Sequence, residues 1–320
     1  VDEGAEAIVV ALTNATENPT HEQKILDIIF DAYPAHELGA IPVLLSSEVS
    51  GRKGEYARAK STIIDAFLHE TMVMALNQLS QNLRESGYEK PMLVVHNSGG
   101  MAQSNSTDAL QTIHSGPIAG VGGAQHLSEK TGLGDVVSMD MGGTSFDIGL
   151  VPEGGVRHYD FQPTIGRWLI SVPMVHLNTL GSGGGSIASF DRVHSAVRVG
   201  PESAGSDPGP AAYDRGGLHP TVTDADLLLG YLDPENYANG FIKLNPKRSR
   251  MAIEDDLADE LDLDVIDVAK VIKRTVDEQM AIGIEMELRS HGGVVEEYTM
   301  VAYGGNGPLH ACGIASHAGI

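Results

Sequence analysis

The chain has 320 residues, 42% of them hydrophobic, and its 43 acidic against 21 basic side chains give a formal charge of −22. That length exceeds one ordinary domain and suits two lobes. The charge repels nucleic acid and anionic membrane, so neither is expected as a partner, whereas a nucleotide held by backbone N–H groups and a metal ion remains compatible with it.

Cys312 is the single cysteine, so no intrachain disulfide can form. With no apolar run of membrane-spanning length and no signal peptide in view, a cytoplasmic location is expected. The chain opens at Val1 without an initiator Met and is expected to be a piece of a longer polypeptide.

In chain order, residues 7–12 and 41–45 are apolar runs of strand length. Between them Thr20 is placed to cap a helix that presents Ile25, Ile28 and Ile29 on one face. A long helix is expected over 56–86, stopped near Gly87, and a strand over 92–95. This alternation predicts a mainly parallel sheet covered by helices. Pro117 then opens a small-residue helix, residues 136–139 form a strand, and 149–168 a hairpin region. A glycine loop and strand occupy 178–198, and a loop rich in Gly, Pro and Ser occupies 199–217. Helices are expected over 224–232, 251–261 and 266–290, the last with Val268, Val271, Ile272, Val276, Met280, Ile284 and Leu288 near helical spacing. Residues 298–303 form a strand, followed by a glycine turn and a short helix.

The chemistry concentrates in Asp140-Met141-Gly142-Gly143-Thr144-Ser145-Phe146-Asp147, which joins two strand-like runs. Consecutive N–H groups in such a bend form a concave anion site, and the Thr144 hydroxyl adds a donor. Asp140 and Asp147 fit beside a phosphate if Mg²⁺ or an ordered water lies between. An ordinary hairpin turn explains the double glycine equally well. The spacing is neither a Walker A loop nor a dinucleotide-binding fingerprint. A second bend, Gly304-Gly305-Asn306-Gly307-Pro308, links a strand to a helix. It suits close approach to a flat ligand such as adenine or ribose, but taken alone it reads first as a helix-entry turn with Pro308 at its first position.

Strand, acidic glycine hairpin, a long interval, then strand, glycine corner and helix resembles the second lobe of the actin, sugar kinase and heat-shock chaperone superfamily. Ser115-Gly116-Pro117, the 140–147 hairpin, the glycine run of 177–188, Gly200-Pro201-Glu202-Ser203-Ala204-Gly205, Asp207-Pro208-Gly209-Pro210-Ala211, the 220–226 segment and the 304–312 corner resemble, in that order, the hydantoinase A, 5-oxoprolinase and acetone carboxylase family. Gly54-Glu55-Tyr56 and Ser145-Phe146-Asp147-Ile148 look most like its ketone carboxylase branch.

The resemblance implies an α/β fold of two actin-like lobes in a partial chain. Residues 1–116 would be the remainder of the first lobe, 117–134 a connecting helix, and 135–320 the second lobe with the phosphate and adenosine motifs. It implies ATP and Mg²⁺ in the cleft between lobes. Gly142, Gly143 and Thr144 would hold phosphate, Gly304, Gly305, Asn306 and Gly307 would flank adenosine, and Asp140 and Asp147 would be catalytic, with Asp140 on the metal directly or through water. The implied reaction is ATP-dependent activation of a carbonyl substrate by a ketone carboxylase subunit that uses bicarbonate within a hetero-oligomeric complex. The alternatives are an ATP-dependent hydantoinase or 5-oxoprolinase subunit that opens a cyclic amide, and a non-catalytic ATP-gated scaffold. Two departures stand out. The family's first-lobe phosphate loop is absent, and Asn306 stands where relatives often have Ala.

Other residues carry competing readings. Residues 181–186 read either as a flexible turn or as a backbone-lined subsite. Asp224 and Asp226 suit a helix N-terminus, with metal or water coordination as the rival reading. His114 reads as a surface or capping histidine, with acid–base work in a cleft as the rival. His310 and Cys312 are poorly spaced to share a metal.

Overall fold

The computed structural model describes residues 4–34 and 41–320. The chain divides into two compact units, Val1–Ala119 with His158–His176, and Gly120–Arg157 with Leu177–Ile320.

In the first unit, β1 (Ile8–Val10) is followed by α1 (Thr20–Ala32) and by β2 (Val43–Leu45), which pairs with β1 in parallel. Thr20 is not the cap of α1 but its first residue, and Pro19 stands at the cap position. Asn18 Oδ1 accepts the Thr20 N–H (3.1 Å) and hydroxyl (2.6 Å). The expected apolar face is also displaced, because Ile28 is exposed and the residue that α1 buries is Glu22. A carboxylate goes inside only when its oxygens are satisfied. Glu22 accepts from the Leu12 N–H (2.8 Å), the Ser46 hydroxyl (2.6 Å) and the Ser47 N–H (2.9 Å). Burial pushes its pKa up, and these hydrogen bonds more than offset that, holding it below the ordinary value. Arg58, 1% exposed, donates to Ser46 Oγ (2.9 Å) and Leu12 O (2.5 Å). One acid–base network thus ties together the carboxyl ends of β1 and β2.

Arg58 lies on α2 (Glu55–Glu85), bounded by Gly54 and Gly87, both at positive φ. The antiparallel pair β3 (Leu93–Val95) and β4 (Met101–Gln103) follows. Helix α3 (Ser115–Thr131) runs across the point in sequence where the second unit begins.

The second unit contains β5 (Val136–Met141), β6 (Phe146–Val151), β7 (Asn178–Leu180) and the hairpin of β8 (Ser186–Asp191) with β9 (Ala196–Ser203). Helices α4 (Val222–Leu228), α5 (Pro246–Ile253) and α6 (Val265–Ser290) follow, then β10 (Thr299–Tyr303) and α7 (Gly307–Ala318). Strand order in the four-stranded sheet is β7-β6-β5-β10. Strand β6 is buried along its whole length, Asp147 included. Helix α6 buries Val268, Ile272, Val276, Met280, Ile284 and Leu288 completely in the unit's core, and truncating Ile272, Met280, Ile284 or Leu288 to Ala would cost roughly 2–5 kcal/mol.

The mainly parallel sheet expected from residues 7–95 is met in part: β1 and β2 pair in parallel, while β3 pairs antiparallel with β4. Among the described residues, β1–β2 and β5–β10 pair in parallel and the other ladders are antiparallel. Short turns such as 142–145 can join only antiparallel neighbours. Strand β9 extends to Ser203, into the stretch read as loop, because β8 supplies it with partners. Helix α5 begins earlier than expected, at Pro246, where the Asn245 side chain caps it through the Lys247 N–H (3.1 Å). No helix among the described residues is long and apolar enough to cross a membrane.

Candidate functional site

Parallel pairing of β5 with β10 puts Tyr303 beside Asp140, so the bends that follow the two strands leave the sheet side by side. Gly142 and Asn306, 164 residues apart in sequence, are joined by the bond from Asn306 Nδ2 to Gly142 O (2.9 Å). The Asn306 N–H donates to Met141 O (2.9 Å). Gly304 has φ +85°, and a Cβ there would overlap Asp140 Oδ1, so only glycine fits the corner.

A third glycine segment backs the first two. The Gly184 N–H donates to Gly142 O (3.1 Å) and the Gly185 N–H to Gly143 O (2.7 Å). A Cβ on Gly183 would lie 2.6 Å from Gly143 C and 2.7 Å from Thr144 N. Thr223 holds the run from behind, its hydroxyl donating to Gly184 O (2.8 Å). The run 181–186, read as flexible turn or subsite, is therefore packed backbone against backbone with the 142–144 bend.

Gly142 and Gly143 behave differently. Neither has a positive φ, and a Cβ on Gly142 would meet nothing closer than 3.9 Å, on Gly143 nothing within 4 Å. The fold itself does not require glycine at either position. The Gly142 N–H is used inside the turn, donating to Ser145 O (3.0 Å). Among the described residues, the N–H groups of exposed Gly143 and Thr144 and the Thr144 hydroxyl have no hydrogen-bond partner. A small bend with open space before three free donors has the properties of an anion site.

Asp140 and Asp147 are register partners across the β5–β6 hairpin. Asp147, 6% exposed, accepts from the Thr179 hydroxyl (2.5 Å) and the Ser145 hydroxyl (3.3 Å). No donor among the described residues reaches the Asp140 carboxylate. Burial, and then the charge of Asp147, raise its pKa. Two adjacent carboxylates, one of them without a donor, are the oxygen set that a hard divalent cation takes, so the residues present fit Mg²⁺. Tyr303 closes this end of the site. Its ring fits only because Gly120 has no side chain, and burial pushes its phenol up to about 12.

Beyond the bends lies a cavity of about 620 Å³, lined by Gly142, Gly143, Gly305 and Asn306 on one side and by Tyr213, Tyr231, Tyr237 and Asp233 on the other. That volume is in the usual range for a small-molecule site. Tyr213 and Tyr237 pack with ring centroids 5.8 Å apart and hydroxyls 3.0 Å apart. Burial, then the Tyr237 hydroxyl, push the Tyr213 phenol strongly upward. The sequence reading missed these tyrosines. Three of them within a short stretch, in a chain with only 5% aromatic residues, is the signal that was there to be found.

The remaining candidates fall elsewhere. Asp224 is fully buried in a capping box, accepting from the Thr221 N–H (2.9 Å), the Ala212 N–H (2.7 Å) and the Ser249 hydroxyl (2.7 Å). Asp226 is fully buried 3.0 Å from His310 Nε2, while His310 Nδ1 lies 2.6 Å from Asp277 Oδ1. His310 is therefore a core residue. Its burial disfavours the charged ring, and the two aspartates outweigh this and raise its pKa. His114 is exposed, at φ +58° just before α3, and Cys312 is exposed.

The sequence profile of the hydantoinase/oxoprolinase family matches residues 58–320. The gamma subunit of acetophenone carboxylase from Aromatoleum aromaticum is 42% identical over 314 residues, covering 98% of this chain and 43% of that protein. The nucleotide-free structure of acetone carboxylase superposes with a TM-score of 0.85 at 31% identity, covering 100% of this chain and 45% of that one. An ATP-dependent caprolactamase from Pseudomonas jessenii superposes with a TM-score of 0.76 at 31% identity, covering 99% and 45%. The chain thus spans less than half the length of the proteins it resembles. On the match of its sequence and the likeness of its fold, it belongs to the hydantoinase/oxoprolinase family.

Proposed function

We propose that the chain is the ATP-handling part of a ketone carboxylase subunit, built on an actin-like fold, which activates a small carbonyl substrate for reaction with bicarbonate. The observation that carries this reading is the meeting of the 142–144 and 304–307 bends beside one cavity, with free donors at one end and aromatic walls at the other. ATP with Mg²⁺ would supply the phosphoryl group that traps the carbonyl oxygen as an activated enol phosphate.

The chain's own residues do the rest by position and charge. The N–H groups of Gly143 and Thr144 and the Thr144 hydroxyl bind phosphate oxygens. Asp140 would hold the metal, directly or through water, with Asp147, fixed by Thr179, beside it. Gly304, Gly305, Asn306 and Gly307 flank the adenosine, and the tyrosine cavity takes its flat end. Residues 1–116, 117–134 and 135–320 correspond in this reading to the remainder of one lobe, a connecting helix and a second lobe. Further subunits would complete the chemistry, in a cytoplasmic complex.

The greater identity to a ketone carboxylase favours a ketone over a cyclic amide. The deciding experiment measures ATP consumption by the full-length protein with its partner subunits, using acetone or acetophenone plus bicarbonate in one arm and hydantoin, 5-oxoproline or caprolactam in the other. Stimulation confined to the ketone arm is expected. Stimulation by the cyclic amides alone identifies an amidohydrolase, and ATP use indifferent to every carbonyl compound identifies a scaffold.

A further inference from the structure

Behind the glycine bends, four polar side chains meet in an otherwise apolar core. Asp226 of α4 and His310 of α7 are fully buried, and Asp277 and Lys273 of α6 are nearly so. His310 Nε2 lies 3.0 Å from Asp226 Oδ2, and His310 Nδ1 lies 2.6 Å from Asp277 Oδ1. Lys273 Nζ donates to Asp277 Oδ2 (3.2 Å) and Leu309 O (3.2 Å) and lies 3.1 Å from His310 Nδ1. Gly313 of α7 leaves room for Asp277, since a Cβ there would overlap its carboxylate. Stability alone does not account for this set. Apolar side chains of similar volume are often as stable or more so in such a place. Asp226 Oδ1 is moreover buried with no hydrogen-bond partner among the described residues, which costs stability.

The four residues join two helices whose first turns hold the anion bend. In α4, the Thr223 N–H (2.7 Å) and hydroxyl (2.8 Å) both donate to Gly184 O, and the Gly184 N–H donates to Gly142 O (3.1 Å). Asn306 stands at the N-cap of α7 and donates from Nδ2 to the same Gly142 O (2.9 Å). Residues three or four apart on a helix share a face. Asp226 therefore lies one turn behind Thr223, and His310 one turn behind Asn306. Their contact bolts the two helices together directly behind the two donors that converge on Gly142 O. Asp277 and Lys273 fasten that bolt to α6.

We propose that Asp226 and His310 are positioning residues for the anion site: they set the spacing of α4 and α7 and, through Gly184 and Asn306, the direction in which Gly143 and Thr144 present their donors. The proposal rests on the reading of that bend as the phosphate site for ATP. Neither residue lines the nucleotide cavity, so both act through the backbone they hold.

The test compares Asp226→Ala, Asp226→Asn and Leu288→Ala in the full-length protein with its partner subunits. Asparagine can donate to His310 Nε2 and keeps the bolt without the charge, whereas alanine cannot. Leu288 is buried in the same core, about 16 Å beyond Asp277 along α6, and supplies a variant that is destabilised without touching the bolt. Thermal melts, steady-state ATP turnover and hydrogen exchange at Gly142, Gly184 and Gly185 are measured on each. Asp226→Ala raises the KM for ATP at least tenfold, lowers kcat less, and speeds exchange at the three glycines at least tenfold. Asp226→Asn recovers most of both losses. Leu288→Ala loses melting temperature and keeps the native KM. A KM or exchange pattern in Asp226→Ala no worse than in Leu288→Ala, or no recovery in Asp226→Asn, overturns the proposal. If the native protein consumes no ATP, the nucleotide reading falls, and the exchange rates alone decide whether the bolt sets the bend.

Discussion

Substituting Gly143 and Gly183 by alanine separates a glycine kept for a ligand from one kept for the fold. At Gly143 the backbone is ordinary and a Cβ meets nothing within 4 Å. Alanine is then neutral in the folded state and narrows the unfolded ensemble, so stability holds or rises by about 0.4–1 kcal/mol. The new methyl nevertheless occupies the open approach to the free N–H groups, and ATP turnover is expected to fall at least tenfold. At Gly183 the added Cβ would lie 2.6 Å from Gly143 C and 2.7 Å from Gly143 O. Neither atom can move without shifting the bend. The overpacking costs about 1–3 kcal/mol, which lowers the melting temperature by roughly 2–12 °C, with turnover lost as well. Thermal melts and a coupled ATPase assay on both variants read the two effects. Native turnover in Gly143→Ala would mean that no ligand uses the open face. A native melting temperature in Gly183→Ala would mean that the stacked backbones yield freely.

Three further outcomes follow from the same geometry. Asp140→Asn abolishes ATP turnover yet raises the melting temperature at neutral pH. Burial and Asp147 raise the folded pKa of Asp140, so this group weakens the fold as pH rises, and the gain in the variant vanishes below the ordinary carboxylate pKa of about 3.9. His310→Asn breaks a buried charge network and costs about 3–5 kcal/mol. Since the folded pKa of His310 is raised, its contribution is complete below about pH 6.5 and fades as pH climbs through the folded value, so urea midpoints of variant and native protein differ more at pH 6 than at pH 9. Asn306→Ala removes the donor to Gly142 O, which keeps the Gly184 N–H. It costs about 0.5–1.5 kcal/mol in chemical melts and raises the KM for ATP more than it lowers kcat.

Local pattern carried much of this molecule. The expected helix over 266–290 is observed as Val265–Ser290, and the acidic hairpin joins β5 to β6. Both are set by short-range periodicity and turn chemistry, which neighbours do not overrule. What escaped depends on partners remote in sequence. Glu22 outranks the isoleucines of α1 as its buried residue because Leu12, Ser46 and Ser47 converge on it. Buried His310 is explained by Asp226 and Asp277, which lie 84 and 33 residues away. The glycine run at 183–185 could be read two ways until its contact with Gly143 was seen. The grouping of His158–His176 with the first unit leaves no trace in hydrophobic spacing.

The laminated glycine backbones set a condition for anyone wishing to move this bend into another protein. The hairpin from Asp140 to Asp147 takes its shape from a shim, residues 183–185, and from a clasp, the Asn306 amide. A transplant of the eight-residue motif alone leaves both behind and yields a loose loop. The smallest portable unit comprises three pieces drawn from distant parts of the chain.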